Sequence, residues 1–276
     1  MWRINMKELF LLLLLLLILG LCFLIFFMMP RFSKRKALLP FAKWNYAHRG
    51  YHDLAKGFPE NSLPAFERAC THGYGMELDV QLTKDQKLVV LHDFSLLRAC
   101  GIDAQVDELT LDEIKKLRLF NTECTIPTFE EVLELVDGRT PLIVEIKQKG
   151  ADSETCRQSA KLLDHYHGSY CVESFNPMAV GWFKNHRPNY VRGQLSGELN
   201  MKQPAKFILE SLLANFISRP DFIAYDVEHR NRTALKLCKA LFKAPIVYWT
   251  VKDRADYDAL KSLIIIFEGF EAEPIK

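Results

Sequence analysis

The sequence predicts an α/β fold: a (β/α)8 TIM barrel with a small insertion after the second barrel strand, preceded by one N-terminal transmembrane helix. Three observations carry this prediction. From residue 44 onward, short apolar runs alternate with amphipathic stretches of helical length. Strands joined by such connections run parallel, and eight of these units over about 230 residues suit a closed barrel. Ahead of them, residues 9–29 form a single apolar run without one charge.

That run, "LFLLLLLLLILGLCFLIFFMM", is closed by Pro30. A helix of about 20 apolar residues spans the hydrocarbon layer. A cleaved signal peptide would carry an apolar region of only about 7–15 residues ending in small side chains. Here the run is longer and ends in Phe and Met, so residues 1–30 read as a retained anchor. Residues 31–43 read as a basic linker holding Arg31, Lys34, Arg35 and Lys36, against Arg3 and Lys7 (offset by Glu8) before the run. The positive-inside rule then leans residues 44–276, the barrel domain, to the cytoplasmic side of a single-pass membrane protein.

Composition agrees with one large domain. Of 276 residues, 49% are hydrophobic and 25% charged, enough for a substantial core, and the net charge of +2 gives no footprint for nucleic acid. Seven scattered cysteines without a CxxC pair point to reduced thiols rather than a disulfide framework or zinc site.

The barrel strands are expected at 45–48, 75–80, 142–147, 170–174, 190–195, 222–227, 246–251 and 265–271, with helices at 62–72, 128–137, 153–166, 177–185, 204–217, 231–242 and 253–263. Thr128 with Glu131 forms a capping-box pattern, and Asp253 an N-cap. One interval breaks the rhythm. Only "TKDQ" separates "ELDVQL" from "KLVVLHD", too short for a parallel crossover, so 86–92 should return antiparallel as a hairpin. Residues 94–127 then make an irregular excursion.

Chemistry concentrates on the strands. Glu77 and Asp79 lie two apart and share one face, and Glu145 and Lys147 repeat that spacing on the next barrel strand. Three carboxylates converging on the mouth make a hard oxygen site suited to a divalent metal, Mg²⁺ or Ca²⁺. Taken alone, the same residues serve equally as a salt-bridged barrel filling. The histidines add weight to the first reading: His48 and His92 each end a strand and reach the mouth, where two imidazoles can take and give protons near neutral pH. Arg49 and Lys147 supply cations for an anionic substrate, Arg in the fork geometry that fits phosphate. Metal, cations and imidazoles together describe phosphoryl-ester chemistry. Glu60 and Asn61 either brace Arg49 and a carboxylate or begin a helix with Asn61 as its cap.

These residues fall in an ordered set: "HRG" (48–50), "PENS" (59–62) leading to "AF" (65–66), "ELDVQLTKD" (77–85), "VVLHD" (89–93), "EIK" (145–147), "SF" (174–175) and "WTV" (249–251). The set resembles the glycerophosphodiester phosphodiesterase family, over nearly the whole chain after the anchor. The resemblance implies that His48 is the proton acceptor and His92 the proton donor. It implies that Glu77, Asp79 and Glu145 hold the metal, that Arg49 and Lys147 contact phosphate, and that Trp249 borders the substrate. It also implies hydrolysis of a glycerophosphodiester to glycerol 3-phosphate and an alcohol, by way of a cyclic phosphate. Three departures bear on substrate choice: "AEP" (272–274) where many members end in "TD" before proline, Asn176 where Asp is frequent, and Lys252 where Asn is frequent. The alternatives are a lysophospholipase D acting on membrane lysophospholipids and a non-catalytic phosphodiester-binding membrane protein.

Overall fold

A computed structural model describes residues 5–31, 35–198 and 202–273. Arg3, Lys34 and Pro274 of the sequence reading lie outside them. The chain begins with helix α1 (Met6–Met28), opened by Asn5, which accepts from the Glu8 amide while the Glu8 side chain caps the Asn5 amide. Mean hydropathy over its most apolar window is 3.4 and none of that window is buried. Leu38 and Phe41, from the stretch that follows, are buried.

Eight parallel strands close into a barrel. They are β1 (Asn45–Ala47), β2 (Gly75–Leu82), β4 (Leu142–Ile146), β5 (Tyr170–Ser174), β6 (Arg192–Ser196), β7 (Phe222–Asp226), β8 (Ile246–Val251) and β9 (Ile264–Phe267). β1 pairs with both β2 and β9, which completes the ring. The remaining strand, β3 (Leu88–Val90), pairs antiparallel with β2. The expected hairpin is therefore present. Its turn rests on Thr83, whose hydroxyl donates to Asp85 (2.6 Å), and on Gln86 at φ 58°.

Alternation sorts the side chains. On β2, Met76, Leu78 and Val80 join the layer between barrel and helices, while Glu77, Asp79 and Gln81 point the other way, into the barrel. The interior is filled lower down by Tyr46, Ile143, Cys171, Phe222 and Ile266. The surrounding helices include α2 (Leu63–Thr71), α5 (Phe129–Val136), α6 (Glu154–Leu163), α7 (Pro177–His186), α10 (Thr233–Phe242) and α11 (Arg254–Leu260). Between β3 and α5 the insertion folds over α3 (Leu97–Cys100) and α4 (Leu111–Ile114), and packs its own small core around Val89, Leu96, Val106 and Ile126.

Two local expectations change. The helix expected at 204–217 is two pieces, α8 (Ala205–Glu210) and α9 (Asn215–Ser218), because Leu212 between them adopts φ 59°, outside the helical region. The cap of α2 is Ser62, which accepts from the Ala65 amide, not Asn61.

Candidate active site

The site is assembled at the C-terminal ends of the strands. β1 stops at Ala47, and His48, Arg49 and Gly50 turn the chain sharply outward, with Arg49 at φ 52° and Gly50 at φ 81°. A side chain at Gly50 would meet Phe66 and Ala65 of α2 at 3.0–3.1 Å, so both conformation and space require glycine there. The turn aims the Arg49 amide at Glu77, to which it donates at 3.1 Å.

Register aligns the acids. Asp79 on β2 is opposite Glu145 on β4, and Glu145 is opposite Glu173 on β5. Ligand oxygens of Glu77, Asp79 and Glu145 all lie within 4.8 Å of one another. Lys147 enters beside them, its Nζ 3.0 Å from Glu145 and 3.6 Å from Asp79. Arg49 Nε is 3.7 Å from Asp79. Burial, together with Asp79 and the neighbouring acids, pushes the Glu77 carboxyl well above its usual range, and raises Glu145 to about 7. Asp79 goes the other way: burial opposes its charge, but Lys147, His92 and Arg49 hold its carboxyl low. Buried acids at this spacing, with Asp79 Oδ1 lacking a hydrogen-bond partner among the described residues, fit a small oxygen-loving dication.

Both histidines are fixed through Nδ1. His48 donates from Nδ1 to Glu268 Oε2 at 2.5 Å, and His92 from Nδ1 to Asp93 Oδ1 at 2.5 Å. Each Nε2 is thereby left for chemistry, and His48 Nε2 lies 4.0 Å from Glu77. Burial lowers the pKa of both rings below the ordinary histidine value, against the opposing pull of Glu268 on His48 and Asp79 on His92. His92 reaches the mouth because β2 overshoots the rim: β3 returns, and the Leu91 amide pairs with the Asp79 carbonyl. One cavity of about 280 Å³ contains His48, His92, Arg49, Glu77, Glu145 and Trp249 on its wall. Trp249 meets Phe175 edge-on, ring centroids 5.4 Å apart, and its buried indole N–H has no partner among the described residues.

The structure thus brings all eight sequence-predicted site residues to one mouth, and Glu60 and Asn61 with them. Glu60 accepts from Arg49 (2.8 Å) and from both terminal nitrogens of Arg98, while Asn61 donates to Asp79 (2.9 Å). Of the departures noted in the sequence, Asn176 caps α7 and donates to the Gly150 carbonyl, and Lys252 lines the cavity. Two residues were missed. Glu268, after β9, orients His48; Glu173, 1% exposed, extends the acidic row, and burial pushes its carboxyl well up. An acid standing inside "YCVES" or closing "IIIFE" was the available signal in each case.

The model of the Glycerophosphoryl diester phosphodiesterase family matches residues 48–266. A glycerophosphodiester phosphodiesterase of Bacillus altitudinis is 43% identical over 114 residues, 38% of this chain and 45% of that protein, so the match spans less than half of that relative. One from Bacillus subtilis is 29% identical over 222 residues, 71% of this chain and 74% of the relative. The fold is that of an Oleispira antarctica phosphodiesterase solved with its product sn-glycerol-3-phosphate: TM-score 0.68 at 23% identity, covering 85% of this chain and 94% of that one. With a family match running from the first histidine to the last barrel strand, this chain belongs to the Glycerophosphoryl diester phosphodiesterase family.

Proposed function

We propose that the chain is a membrane-anchored, divalent-metal-dependent phosphodiesterase that hydrolyses glycerophosphodiesters to glycerol 3-phosphate and an alcohol. The observation that carries this reading is the pair of imidazoles, each tied to a carboxylate through Nδ1, on the wall of a cavity they share with three clustered acids. A module that only bound phosphodiesters would have no use for two oriented proton carriers.

His48, neutral because burial lowers its pKa, takes the proton from the glycerol hydroxyl adjacent to the phosphate. That oxygen bonds to phosphorus, the bond from phosphorus to the alcohol oxygen breaks, and His92 protonates the departing alcohol. Water then opens the cyclic phosphate with the roles exchanged: His92 takes its proton and His48 returns one to the glycerol oxygen. Glu77, Asp79 and Glu145 would hold Mg²⁺ or Ca²⁺, which when bound supplies Lewis-acid stabilisation of phosphoryl charge. Arg49 and Lys147 face the same anion, and Trp249 walls the substrate.

A second reading has its own support. A groove of about 420 Å³ continues from the site, sharing Glu145 and Phe175, and its apolar wall is made by Phe94, Phe175, Pro177 and Leu209. Such a groove suits an acyl chain, as a lysophospholipase D would need. One assay separates the two: the full chain in lipid nanodiscs, given glycerophosphocholine or lysophosphatidylcholine with Mg²⁺, Ca²⁺ or EDTA. Release of glycerol 3-phosphate from glycerophosphocholine supports the first reading, and preference for the acylated substrate supports the second. No turnover of either refutes both.

We assign residues 1–30 as the retained anchor, 31–43 as linker and 44–276 as the barrel domain on the cytoplasmic side. The charge-free run and the cations after it support this assignment.

A further inference from the structure

The end of α1 is built into the barrel wall. Met28 is 2% exposed, and its carbonyl accepts from Asn215 Nδ2 at 2.9 Å, with Cys238 Sγ at 3.5 Å. Arg219 donates to the carbonyls of Phe26 (2.9 Å) and Met29 (2.7 Å), and Phe27 packs edge-on against Phe216 with centroids 4.7 Å apart. A helix leaves its last four carbonyls without internal partners. Here side chains of the barrel domain supply partners for that end.

Length then sets the depth of this junction. The 23 residues of α1 at about 1.5 Å each make about 34 Å, against a hydrocarbon layer of about 30 Å. Less than one turn is spare, so the junction sits at headgroup level, and whatever flanks it sits there too. The flank is apolar. Leu237 and Leu241, one turn apart on α10 and on the side of Cys238, are 36% and 55% exposed, and Phe216 is 36% exposed. Exposed lysines share the helix: Lys236 and Lys243, with Lys239 donating to the Tyr248 hydroxyl at 3.3 Å, and residues 233–244 hold no acid, while Arg232 at the far end is ion-paired with Glu198 and Glu210. Exposed leucines beside lysines are what an interfacial helix presents to an anionic lipid surface.

We infer that the Leu237–Leu241 flank of α10, with Phe216, is a second membrane contact that rests on the bilayer around α1, its lysines meeting anionic phospholipid headgroups. This inference rests on the reading of α1 as a retained anchor. The contact holds the barrel in one orientation. Because the Arg31 amide bonds to the Pro220 carbonyl just before β7 begins, the junction lies at the N-terminal ends of the strands, and the catalytic mouth opens at the other end.

The test uses the full chain in nanodiscs of phosphatidylcholine, with or without phosphatidylglycerol. A fluorescent amino acid is placed at Leu241, at Leu97 on the insertion (56% exposed), or at Leu17 within α1. In anionic discs, the probe at Leu241 should be several-fold less quenched by iodide than the one at Leu97, and quenched by nitroxide lipid. Combining Lys236→Gln, Lys239→Gln and Lys243→Gln should move it toward the Leu97 value. Equal iodide quenching at Leu241 and Leu97, with Leu17 still quenched by nitroxide lipid, overturns the inference and leaves the anchor standing. Loss of quenching at Leu17 overturns the anchor itself. Protection at Leu241 that ignores both phosphatidylglycerol and the lysine changes overturns the headgroup contact.

Discussion

Oε2 of Glu268 lies 2.5 Å from Nδ1 of His48, a contact between residues 220 positions apart. The carboxylate fixes which ring nitrogen carries the proton and opposes the fall in His48 pKa that burial causes. Glu268→Gln keeps the shape but can donate to Nδ1 and favour the wrong tautomer. We expect a loss of about 10²-fold or more in kcat, the size of a general acid–base contribution. With the upward pull removed, the His48 pKa falls further, so the acid limb of kcat/KM against pH should move to lower pH. An unmoved limb would show that Glu268 does not act through His48.

The two histidines should differ in what rescues them. Replacing either by Ala should cost about 10²–10⁴-fold in rate. A nitrophenyl phosphodiester that retains the glycerol needs little protonation of its leaving group, so it should rescue His92→Ala far more than His48→Ala. Equal rescue of both would reverse or dissolve the assigned roles.

The pH profile follows from the same assignment. In the proposed mechanism His48 works deprotonated and His92 protonated, and burial lowers both pKa values. With the metal saturating, activity on glycerophosphocholine should therefore be bell-shaped, with its optimum below the ordinary histidine value of about 6.5. The alkaline limb, which reports His92, should vanish with the nitrophenyl substrate. Its persistence there would place the titrating acid elsewhere.

Metal binding should release protons. Without a cation, burial and the neighbouring acids favour the protonated form of Glu77, and Glu145 is raised to about 7. A ligand must be ionised, so affinity should rise as pH passes through 7. Calorimetric titration in two buffers of different ionisation enthalpy counts the protons. Glu77→Gln, Asp79→Asn and Glu145→Gln should each weaken binding and activity together, and EDTA should abolish turnover until metal is returned. Full activity in a metal-free preparation would remove the site.

Topology has a direct measurement. Leu39 is 64% exposed in the segment before the barrel. In intact cells, Leu39→Cys should gain no labelling by an impermeant thiol reagent over the native chain, and should gain it after permeabilisation. Labelling of intact cells would invert the orientation.

Most of the barrel was legible because buried parallel strands write themselves as short β-branched runs, as in "LIVEIK" and "IVYWTV". The site was legible where same-strand spacing carried it, as with Glu77 and Asp79. Glu173 and Glu268 escaped because their meaning lies in register across strands: Glu173 matters only opposite Glu145, and Glu268 only beside β1. The break at Leu212 escaped because a leucine at positive φ gives no local warning. Ser62 was passed over as a cap because Asn61, an equally good capping residue, precedes it and is instead committed to Asp79.

The pairing of β1 with β9 also orders events during synthesis. His48 leaves the ribosome early, soon after the segment read as an anchor, while Glu268 follows more than two hundred residues later. Until the last strand docks, the first histidine has neither its hydrogen-bond partner nor one wall of its pocket. On the proposed function, a nascent chain should therefore be chemically silent, with hydrolytic competence expected only when the ring is sealed. Phosphodiester cleavage by ribosome-bound chains of increasing length would mark that moment, switching on once β9 has cleared the exit tunnel.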